Sequence, residues 1–445
     1  MALPLLRTAI PGPRSRALAR QLHRYESRNI TLISDHWPVF WERAAGANVW
    51  DVDGNRYLDL TAAFGVANVG HSNPRVVAAI RRQAGQLIHA MGDVHPNALK
   101  LALARELVAL TFGRWLGKGG SAGASPSTAR IGGRASRRAV GRVIFANSGA
   151  EAVEAALKTA AIHTDRPGVI AFHGAYHGLT YGALAATARP HFRQPFEKQL
   201  GKFVTHVPFG QLPVVGRAVL ARRGRSKFGR LGQPSLPQPM EYYGAVLVEP
   251  IQGRAGIIVP PDDFLPGLRR FCDRQGLVLI FDEIYTGFCR TGRWFAAEHW
   301  DVVPDVVCVG KGMAGGFPLA ACIGRAPVMD SWPDSDGEAI HTSTFLGNPL
   351  GCAAALAAIA EMKRLKLGER AAALGTYALQ HFPTLRGRGL MLGLPVVNPA
   401  NLCDQLLQRG ILALPEGDVL GLTPPLTITR RQLAFAIATI AELNR

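Results

Sequence analysis

The chain has 445 residues, of which 48% are hydrophobic and 18% are charged, and its formal net charge at pH 7 is +18. This composition excludes a disordered or fibrous chain, and the length is too great for one simple core, so two or three domains are predicted. No run approaches the roughly 18 apolar residues that a membrane span needs, so we predict no membrane association.

The N-terminal stretch and the cysteines bear on where the protein acts. The first residues, MALPLLRTAIPGPRSRALARQ, are arginine-rich and acid-poor, which also fits a transit peptide, but they lack the apolar core of a secretory signal. The six cysteines are scattered without a Cys-x-x-Cys pair, which suits a reducing compartment and argues against a zinc knuckle or a disulfide framework. We therefore predict a cytoplasmic protein with no metal site.

Two segments carry most of the excess positive charge. Residues 113–142 contain seven basic residues and no acid, and residues 211–232 contain six basic residues and no acid. Both are rich in Gly, Ser, Ala or Pro, and neither alternates basic with aromatic residues as a base-stacking surface does. We interpret them as solvated surface insertions, at about 113–142 and 211–240, and predict no nucleic-acid partner.

The predicted elements alternate between strands and helices along most of the chain. Near the N-terminus, VWDVDGNRYLDL predicts two short strands around an Asp-Gly-Asn turn. From RVIFANSGAEAVEAALKTA to DVVCVGKG, short β-branched runs alternate with helical patterns, which is typical of a mostly parallel α/β sheet wrapped by helices. An alanine-rich helical stretch then leads into GLMLGLPVV and GILALPEGDVLGLTPPLTIT. We predict a large domain at 61–346 and a smaller α+β domain built from 1–60 and 347–445.

Several strands of the large domain end at polar or small residues. Open α/β sheets bind ligands at the carboxyl edge of their strands, so these residues are expected to gather there. The first set is Ser148, Gly149 and Ala150, where a helix begins after the strand RVIFA. The free N–H groups and the dipole of a helix start form a phosphate site, although serine also caps helices that bind nothing.

Two further positions carry an aromatic residue and an acid. The aromatic residue is in a loop and the acid ends a strand. Tyr176, in HGAYHG, offers a ring face that either covers a ligand ring or packs in the core. Asp282 ends the strand LVLIFD, where it is either a cap or a carboxylate that keeps a ligand's ring nitrogen protonated. A ring that is held in this charged form becomes an electron sink.

The last strand end carries Lys311, in PDVVCVGKGMAGG. Only nine of the 50 basic residues are lysines, and a lysine, unlike an arginine, can lose its proton and attack a carbonyl group. Burial would lower its pKa and favour this reaction. A phosphate site, a stacking ring, a carboxylate for a ring nitrogen and an imine-forming lysine together match one ligand, pyridoxal 5′-phosphate.

Longer motifs extend this match. SGAEAVEAALK, VEPIQG, DEIYTGFCRTGRW, GKGMAGG and HTSTFLGNPLGCAAAL resemble those of the class III pyridoxal-phosphate aminotransferases, the family of ornithine, acetylornithine and 4-aminobutyrate aminotransferases. The resemblance implies fold type I, in which a large domain with a mostly parallel seven-stranded sheet is joined by a smaller α+β domain. It also implies a homodimer that moves an amino group from an ω-amine or amino acid to an oxo-acid.

The resemblance also assigns roles to individual residues. It implies that Lys311 forms the Schiff base and that Asp282 pairs with the pyridine nitrogen, which makes these two the catalytic residues. The other predicted cofactor-binding residues include Ser148, Gly149 and Ala150, of which Gly149 and Ala150 hold the phosphate, Tyr176, which stacks on the ring, and the neighbouring His177. They also include Glu249 behind the cofactor, Tyr285 where ornithine-type enzymes carry a glutamine near the cofactor's hydroxyl, and Thr344 from the partner subunit.

The substrate-binding residues depart from the family pattern. Arg254 replaces the glutamate that follows EPIQG in ornithine-type members, Gly421 replaces an arginine before PPL, and Leu179 replaces an arginine after the ring-stacking residue. Three explanations are open: Arg254 binds the substrate carboxylate from the opposite wall, the substrates lack a carboxylate there, or the enzyme works poorly. We favour the first because a guanidinium is the usual carboxylate clamp, whereas the simplest alternative for Arg254 is a surface ion pair.

Two other functions stay open at this point. Another pyridoxal-phosphate reaction, such as decarboxylation, racemisation or aminomutase chemistry, would use the same ring-holding residues. A non-catalytic relative would keep the fold as a binding protein, with the basic insertions as its working parts, although the intact Lys311, Asp282 and Ser148 argue against this function.

Overall fold

The computed structural model describes residues 2–117, 139–213 and 236–444. Most of each basic insertion, predicted at about 113–142 and 211–240, lies outside these ranges. The described residues form three β-sheets with helices packed on them. None of the helices in these ranges has both the length and the apolar character that a membrane crossing requires.

The bounds of the regular elements are as follows. The strands are β1 (Trp41–Ala45), β2 (Asn48–Asp51), β3 (Arg56–Asp59), β4 (Gly141–Ala146), β5 (Gly168–Phe172), β6 (Val204–Val207), β7 (Tyr243–Val248), β8 (Val278–Asp282), β9 (Val306–Val309), β10 (Ala320–Arg325), β11 (Arg386–Arg388), β12 (Met391–Pro395), β13 (Ile411–Leu412), β14 (Leu414–Glu416) and β15 (Val419–Leu422). The α-helices are α1 (Pro13–Tyr25), α2 (Ala62–Gly65), α3 (Pro74–Ala84), α4 (Ala98–Val108), α5 (Arg114–Gly117), α6 (Gly149–Thr164), α7 (Tyr181–Ala186), α8 (Pro190–Arg193), α9 (Phe264–Gln275), α10 (Ala326–Met329), α11 (Pro349–Arg364), α12 (Leu367–His381), α13 (Pro399–Gln408) and α14 (Arg430–Leu443).

The largest sheet has seven strands in the order β4-β10-β9-β8-β7-β5-β6. Neighbouring strands from β9 to β6 are parallel, whereas β10 is antiparallel to both β4 and β9. Alternate residues of β8 pack into two separate cores, Leu279 and Phe281 on one face and Val278 and Ile280 on the other. Burial on both faces explains why these strands read as continuous apolar runs. The predicted mostly parallel seven-stranded sheet is confirmed.

Helix α6 packs on one face of this sheet through small side chains. Ala152, Ala155, Ala156 and Ala160 are buried against it. Small residues let the helix approach the strands closely. Only two residues separate β4 from α6, so the helix begins at the carboxyl end of that strand. The phosphate site predicted at residues 148–150 is therefore next to the ends of the parallel strands.

The N-terminal and C-terminal flanks of the chain meet in a second sheet. Strands β1, β2 and β3 are antiparallel, with the predicted Asp-Gly-Asn turn between β2 and β3, and β13 pairs parallel with β3. A third, antiparallel sheet has the order β11-β12-β15-β14 and includes the hairpin of β14 and β15. The domain boundaries near residues 60 and 346 remain predictions.

Candidate active site

A cavity of about 340 Å³ lies at the carboxyl edge of the central sheet. Segments that follow β4, β5, β7, β8 and β9 contribute to its wall, as expected for an open α/β sheet. The wall consists of Gly149, Ala150, Tyr176, His177, Gly178, Leu179, Glu249, Arg254, Asp282, Ile284, Tyr285 and Lys311. Every predicted site residue except Ser148 and Thr344 therefore belongs to one cavity.

The start of helix α6 forms one end of the wall. Ser148 is its N-cap. The side-chain oxygen accepts a hydrogen bond from the Glu151 N–H at 3.3 Å, so the hydroxyl caps the helix. A Cβ at Gly149 would lie 2.8 Å from Ile284 Cδ1, so a larger residue here would displace that side chain. Apart from the Glu151 N–H, the first N–H groups of this 16-residue helix lack an intrahelical partner, and free donors of this kind can bind an anion.

The loop after β5 carries Tyr176 and His177. Gly178 has a φ of +124°, and a Cβ there would lie 2.6 Å from Ala150 Cβ, so glycine lets this loop pack against the helix start. The Tyr176 N–H donates a hydrogen bond to Glu249 Oε2 at 3.2 Å. The loop is therefore held by a hydrogen bond at Tyr176 and by close packing at Gly178.

Asp282 is the last residue of β8 and is 4% exposed. Its Oδ2 lies 2.7 Å from His177 Nδ1, and its Oδ1 accepts a hydrogen bond from the Ile284 N–H at 3.1 Å. Both carboxylate oxygens are therefore held in defined positions. Within the described ranges His177 Nε2 is buried without a hydrogen-bond partner, so the contact with Asp282 sets the orientation of the imidazole.

Lys311 begins a short 3₁₀ turn after β9 and has a φ of +37°. Its Nζ lies 4.4 Å from the centroid of the Tyr285 ring. Burial lowers the pKa of Lys311 below its ordinary value, although the charges of Asp282, Glu249 and Glu416 act in the opposite direction. More of the amine is therefore neutral near pH 7, and the neutral amine is the form that attacks a carbonyl carbon.

Glu249 follows β7 and is buried next to the Tyr176 loop. Its Oε1 accepts a hydrogen bond from the Gly253 N–H at 3.1 Å, in addition to the bond that Oε2 accepts from Tyr176. Burial raises the pKa of Glu249 to about 7. The carboxyl group therefore joins the loops after β5 and β7, and burial favours its protonated form.

The ring of Tyr285 lies between two glycines. A Cβ at Gly65 or at Gly253 would lie 2.5 Å from a ring carbon, so both positions leave space that the ring fills. The Tyr285 hydroxyl donates a hydrogen bond to Thr423 Oγ1 at 3.2 Å. Burial raises the pKa of Tyr285, so the phenol stays neutral and keeps its role as a donor.

Arg254 is half-buried among aromatic rings. Its guanidinium carbon lies 4.9 Å from the centroid of the Tyr176 ring, 5.6 Å from that of Phe64 and 5.9 Å from that of Phe192. Among the residues that the structure describes, no acid forms an ion pair with this guanidinium. The surface ion pair that the sequence left open for Arg254 is therefore not observed in this part of the chain.

The two predicted residues outside the wall have different positions. Ser148 is exposed and caps helix α6, as described above. Thr344 is exposed on the surface of the chain and does not contact the cavity. A residue that completes the site of a second subunit would have this exposure.

One buried acid near the cavity was not predicted. Glu416 ends β14, is 5% exposed, and lines a small void together with Phe64, Tyr285 and Gly421. The local pattern LPEGDV gave no signal, because a glutamate before a Gly-Asp turn is typical of a solvated hairpin. Only the packing of the third sheet against the cavity reveals its position.

Residues 32–443 match the family model described as Aminotransferase class-III. The chain belongs to this family. It is 38% identical to the acetylornithine aminotransferase of Methanopyrus kandleri over 420 residues, which cover 92% of this chain and 95% of the relative. It is 37% identical to the putrescine aminotransferase of Pectobacterium atrosepticum over 430 residues, which cover 92% of this chain and 82% of that protein. The pyridoxal-phosphate-bound structure of an amine transaminase from an uncultivated Pseudomonas species matches with a TM-score of 0.77 at 25% identity, covering 94% of this chain and 98% of that one.

These findings decide the reaction class of this class III aminotransferase. The family depends on pyridoxal phosphate, and transamination is its typical reaction. The predicted family, fold type and enzymatic nature of the chain are confirmed. A different pyridoxal-phosphate reaction and a non-catalytic role, both open from the sequence, are therefore not favoured.

Proposed function

We propose that this aminotransferase holds pyridoxal 5′-phosphate in the cavity and moves an amino group from an ω-amine or amino acid to an oxo-acid. The observation that carries the proposal is that Lys311, Asp282 and the start of helix α6, which are far apart in the sequence, line one cavity. These residues fit the cofactor, because the cavity offers an anion site, an aromatic ring, a carboxylate and a buried amine.

The proposed binding roles follow from the positions of the residues. The N–H groups of Gly149 and Ala150 bind the phosphate, and the ring of Tyr176 covers one face of the cofactor. Asp282, which His177 orients, binds the pyridine nitrogen and keeps it protonated. When bound, the cofactor supplies an electron sink for the bonds of the carbon that carries the substrate's amino group.

The proposed role of Lys311 is first to bind the cofactor's aldehyde carbon and then to move a proton. The neutral Lys311 amine would then take a proton from the substrate carbon, and the resulting ammonium group would return that proton to complete the transfer. Burial, which lowers the pKa of Lys311, favours the neutral form that attack on the aldehyde carbon and removal of the proton both need. The Tyr285 ring, 4.4 Å from Nζ, limits where the amine can lie.

Arg254 is the proposed binding residue for the carboxylate of the oxo-acid. Its guanidinium faces the Tyr176 ring at the cavity and is not paired with an acid among the described residues. The aromatic rings hold the guanidinium in place without neutralising its charge. A carboxylate that enters the cavity therefore finds a positioned cation, even though Gly421 replaces the family's usual arginine.

Replacing Arg254 with alanine is expected to raise KM for the oxo-acid by roughly 10- to 100-fold, since a charge-assisted hydrogen bond contributes about 1.5–3 kcal/mol. Steady-state kinetics with pyruvate and 2-oxoglutarate measures the change. Arg409→Ala is the matched control, because Arg409 is an exposed arginine that pairs with Glu442 on the surface. An unchanged KM for every oxo-acid in Arg254→Ala would rule out this role.

The amino donor is proposed to carry its reactive amine at the end of a carbon chain. Relatives named for acetylornithine and putrescine, at 38% and 37% identity, support this class of donor. A panel of terminal amines, each incubated with pyruvate or 2-oxoglutarate, tests the proposed function directly. Formation of the corresponding amino acid is the expected result, and a cofactor-loaded protein that consumes no amine with either acceptor would contradict the proposal.

The active unit is proposed to be a homodimer to which each chain supplies Thr344 for the partner's cofactor. Two segments near Thr344 touch each other: Thr342 Oγ1 donates a hydrogen bond to Asp93 Oδ2 at 2.8 Å, and the rings of His89 and Phe345 lie 5.3 Å apart. Together they expose a set of large apolar side chains, Leu87, Ile88, Met91, Val94, Ile340 and Phe345. An exposed apolar patch of this kind marks a protein interface, and closed dimers are the commonest assembly.

Sedimentation analysis is expected to give twice the 47.8 kDa mass of the chain. Phe345→Asp places a charge in the apolar patch, so we expect it to shift the population toward the monomer and to weaken pyridoxal-phosphate binding. Val397→Asp is the control, because Val397 is fully exposed elsewhere on the surface. A monomeric wild-type protein with full activity would refute the dimer.

A further inference from the structure

A second and larger cavity adjoins the proposed cofactor site. Its volume is about 1470 Å³, and its wall is formed by helix α1, the segment that follows α1 and the residues around α8. Arg254 belongs to the walls of both cavities, so the two spaces meet at this guanidinium. The outer cavity therefore continues the active site toward the surface, and the proposed chemistry does not use it.

The wall of the outer cavity carries an excess of positive charge. Among the described residues it holds two acids, Glu26 and Asp35, and six arginines, which are Arg16, Arg20, Arg24, Arg28, Arg189 and Arg254. Arg16, Arg20 and Arg24 recur at every fourth residue of α1 and therefore share one face of this helix. None of the six arginines forms an ion pair within the part of the chain that the structure describes. Their charges are therefore free to bind an anionic ligand.

Two of these arginines lie against the same aromatic ring. The guanidinium carbon of Arg189 is 5.5 Å from the centroid of the Phe192 ring, and that of Arg254 is 5.9 Å from the same centroid. Both arginines are half-buried. Burial raises the pKa of Tyr176 in the inner cavity, whereas the charges of Arg254 and Arg189 lower it, so both charges act on the active site. Because like charges repel, an anion that lies close to both guanidinium groups would stabilise this arrangement.

The number and type of these cations favour a phosphate group as the ligand. A carboxylate carries one negative charge, whereas a phosphate ester carries close to two charges at pH 7 and has three strong acceptor oxygens. The planar guanidinium group matches the geometry of phosphate and binds it through two parallel hydrogen bonds. Apolar side chains in the same wall, Ile30, Leu32, Ile33 and Phe192, suit a carbon chain that joins such a phosphate to a reacting amine.

We infer that the outer cavity binds a phosphate group at the far end of the amino donor, so that the donor is an extended ω-amine phosphate whose amine enters the inner cavity. This inference rests on the proposed function and specifies its donor. Arg189 and the arginines of α1 bind the phosphate, and Arg254 stays free for the carboxylate of the oxo-acid. The basic face of α1 between Arg16 and Arg24 extends over about 12 Å, which leaves room for carbon chains of different lengths.

The test compares 6-aminohexyl phosphate with 6-aminohexan-1-ol, which has the same amine and carbon chain without the phosphate. The measurement is the second-order rate constant of the first half-reaction of the holoenzyme, which needs no oxo-acid. For the wild type we expect this constant to favour the phosphate by at least about tenfold, since a site that binds a polar substrate group rejects the analogue lacking it. In Arg24→Gln and in Arg189→Gln we expect the constant for the phosphate to fall by roughly 5- to 10-fold and that for the alcohol to change by less than about threefold. Arg14→Gln, at an exposed arginine of α1 outside the cavity wall, is expected to change neither.

Calorimetric titration of the holoenzyme with hexyl phosphate, which has no amine, gives a second readout that does not depend on turnover. We expect the wild type to bind hexyl phosphate at least about tenfold more tightly than the double variant Arg24→Gln/Arg189→Gln. Equal use of the two amines by the wild type, or equal binding of hexyl phosphate by the wild type and the double variant, would overturn the subsite while leaving transamination intact. A preference for 6-aminohexanoate equal to that for 6-aminohexyl phosphate would overturn the assignment to phosphate. A wild-type holoenzyme that binds hexyl phosphate as expected but consumes no amine would instead overturn the proposed function and retain the phosphate site.

Discussion

Replacing Lys311 with alanine is expected to reduce turnover by about 10⁴-fold, because the variant lacks both the amine that binds the cofactor's aldehyde and the group that moves the proton. The visible absorption band of the lysine-bound cofactor is expected to disappear on the same substitution. Absorption spectra after incubation with pyridoxal phosphate, together with steady-state rates, measure both effects. Cofactor loading of the wild type is expected to accelerate with pH around a pKa below the ordinary 10.5, because burial lowers the pKa of Lys311 and the neutral amine is the reactive form.

Two further variants separate the roles of charge and nucleophile at this position. Lys311→Arg keeps a positive charge but has no amine that can lose its proton near neutral pH, so it is expected to be as inactive as the alanine variant. Lys363→Ala removes an exposed lysine that pairs with Glu106, and is expected to retain wild-type rates. A visible band and a rate close to those of the wild type in Lys311→Ala would exclude this lysine.

Substituting Asp282 with asparagine is expected to lower kcat by roughly 10²- to 10³-fold, the usual effect of removing one preorganised electrostatic contact from an active site. Asparagine keeps the shape of the side chain and its contacts with His177 and the Ile284 N–H, but it loses the charge that would keep the pyridine nitrogen protonated. Asp282→Glu keeps the charge and is expected to recover part of the rate. The measurement is the rate of the first half-reaction with a single amine donor.

The matched control for Asp282 is Asp263→Asn, at an exposed acid that precedes helix α9 without forming a side-chain cap. It is expected to leave the rate unchanged. Thermal unfolding of each variant separates a loss of catalysis from a loss of folded protein. A folded Asp282→Asn variant with the wild-type half-reaction rate would contradict the electrostatic role.

The meeting of the proposed cofactor-binding residues was largely predictable, because most of them follow a local strand pattern of their own. The carboxyl ends of parallel strands meet at one edge, so residues such as Tyr176, Asp282 and Lys311 were expected to lie together. Ser148 shows the limit of this reasoning. It stands at the start of helix α6, but its hydroxyl caps that helix and is not in the cavity wall, and only the hydrogen-bond geometry distinguishes a helix cap from a ligand contact.

The substrate side was far less predictable. The sequence indicated that Arg254 departs from the family pattern, but not that the rings of Phe64, Tyr176 and Phe192 surround its guanidinium. Glu416 gave no signal at all, because its burial depends on the space left by Gly421 and on the packing of a separate sheet. Most of these contacts join segments that are distant in the sequence, and no local periodicity encodes them.

The sequence by itself determined the sheet, the family and the residues proposed to hold the cofactor. Hydrophobic periodicity sets the strands and helices, and the topology of a parallel sheet then brings their ends together whatever the loops contain. The tertiary structure alone decided which charged side chains lie beside the cavity. Whether a charged side chain such as Arg254 or Glu416 is solvated, paired or buried beside the cavity depends on the free energy of packing between distant elements, and that packing exists only in the folded chain.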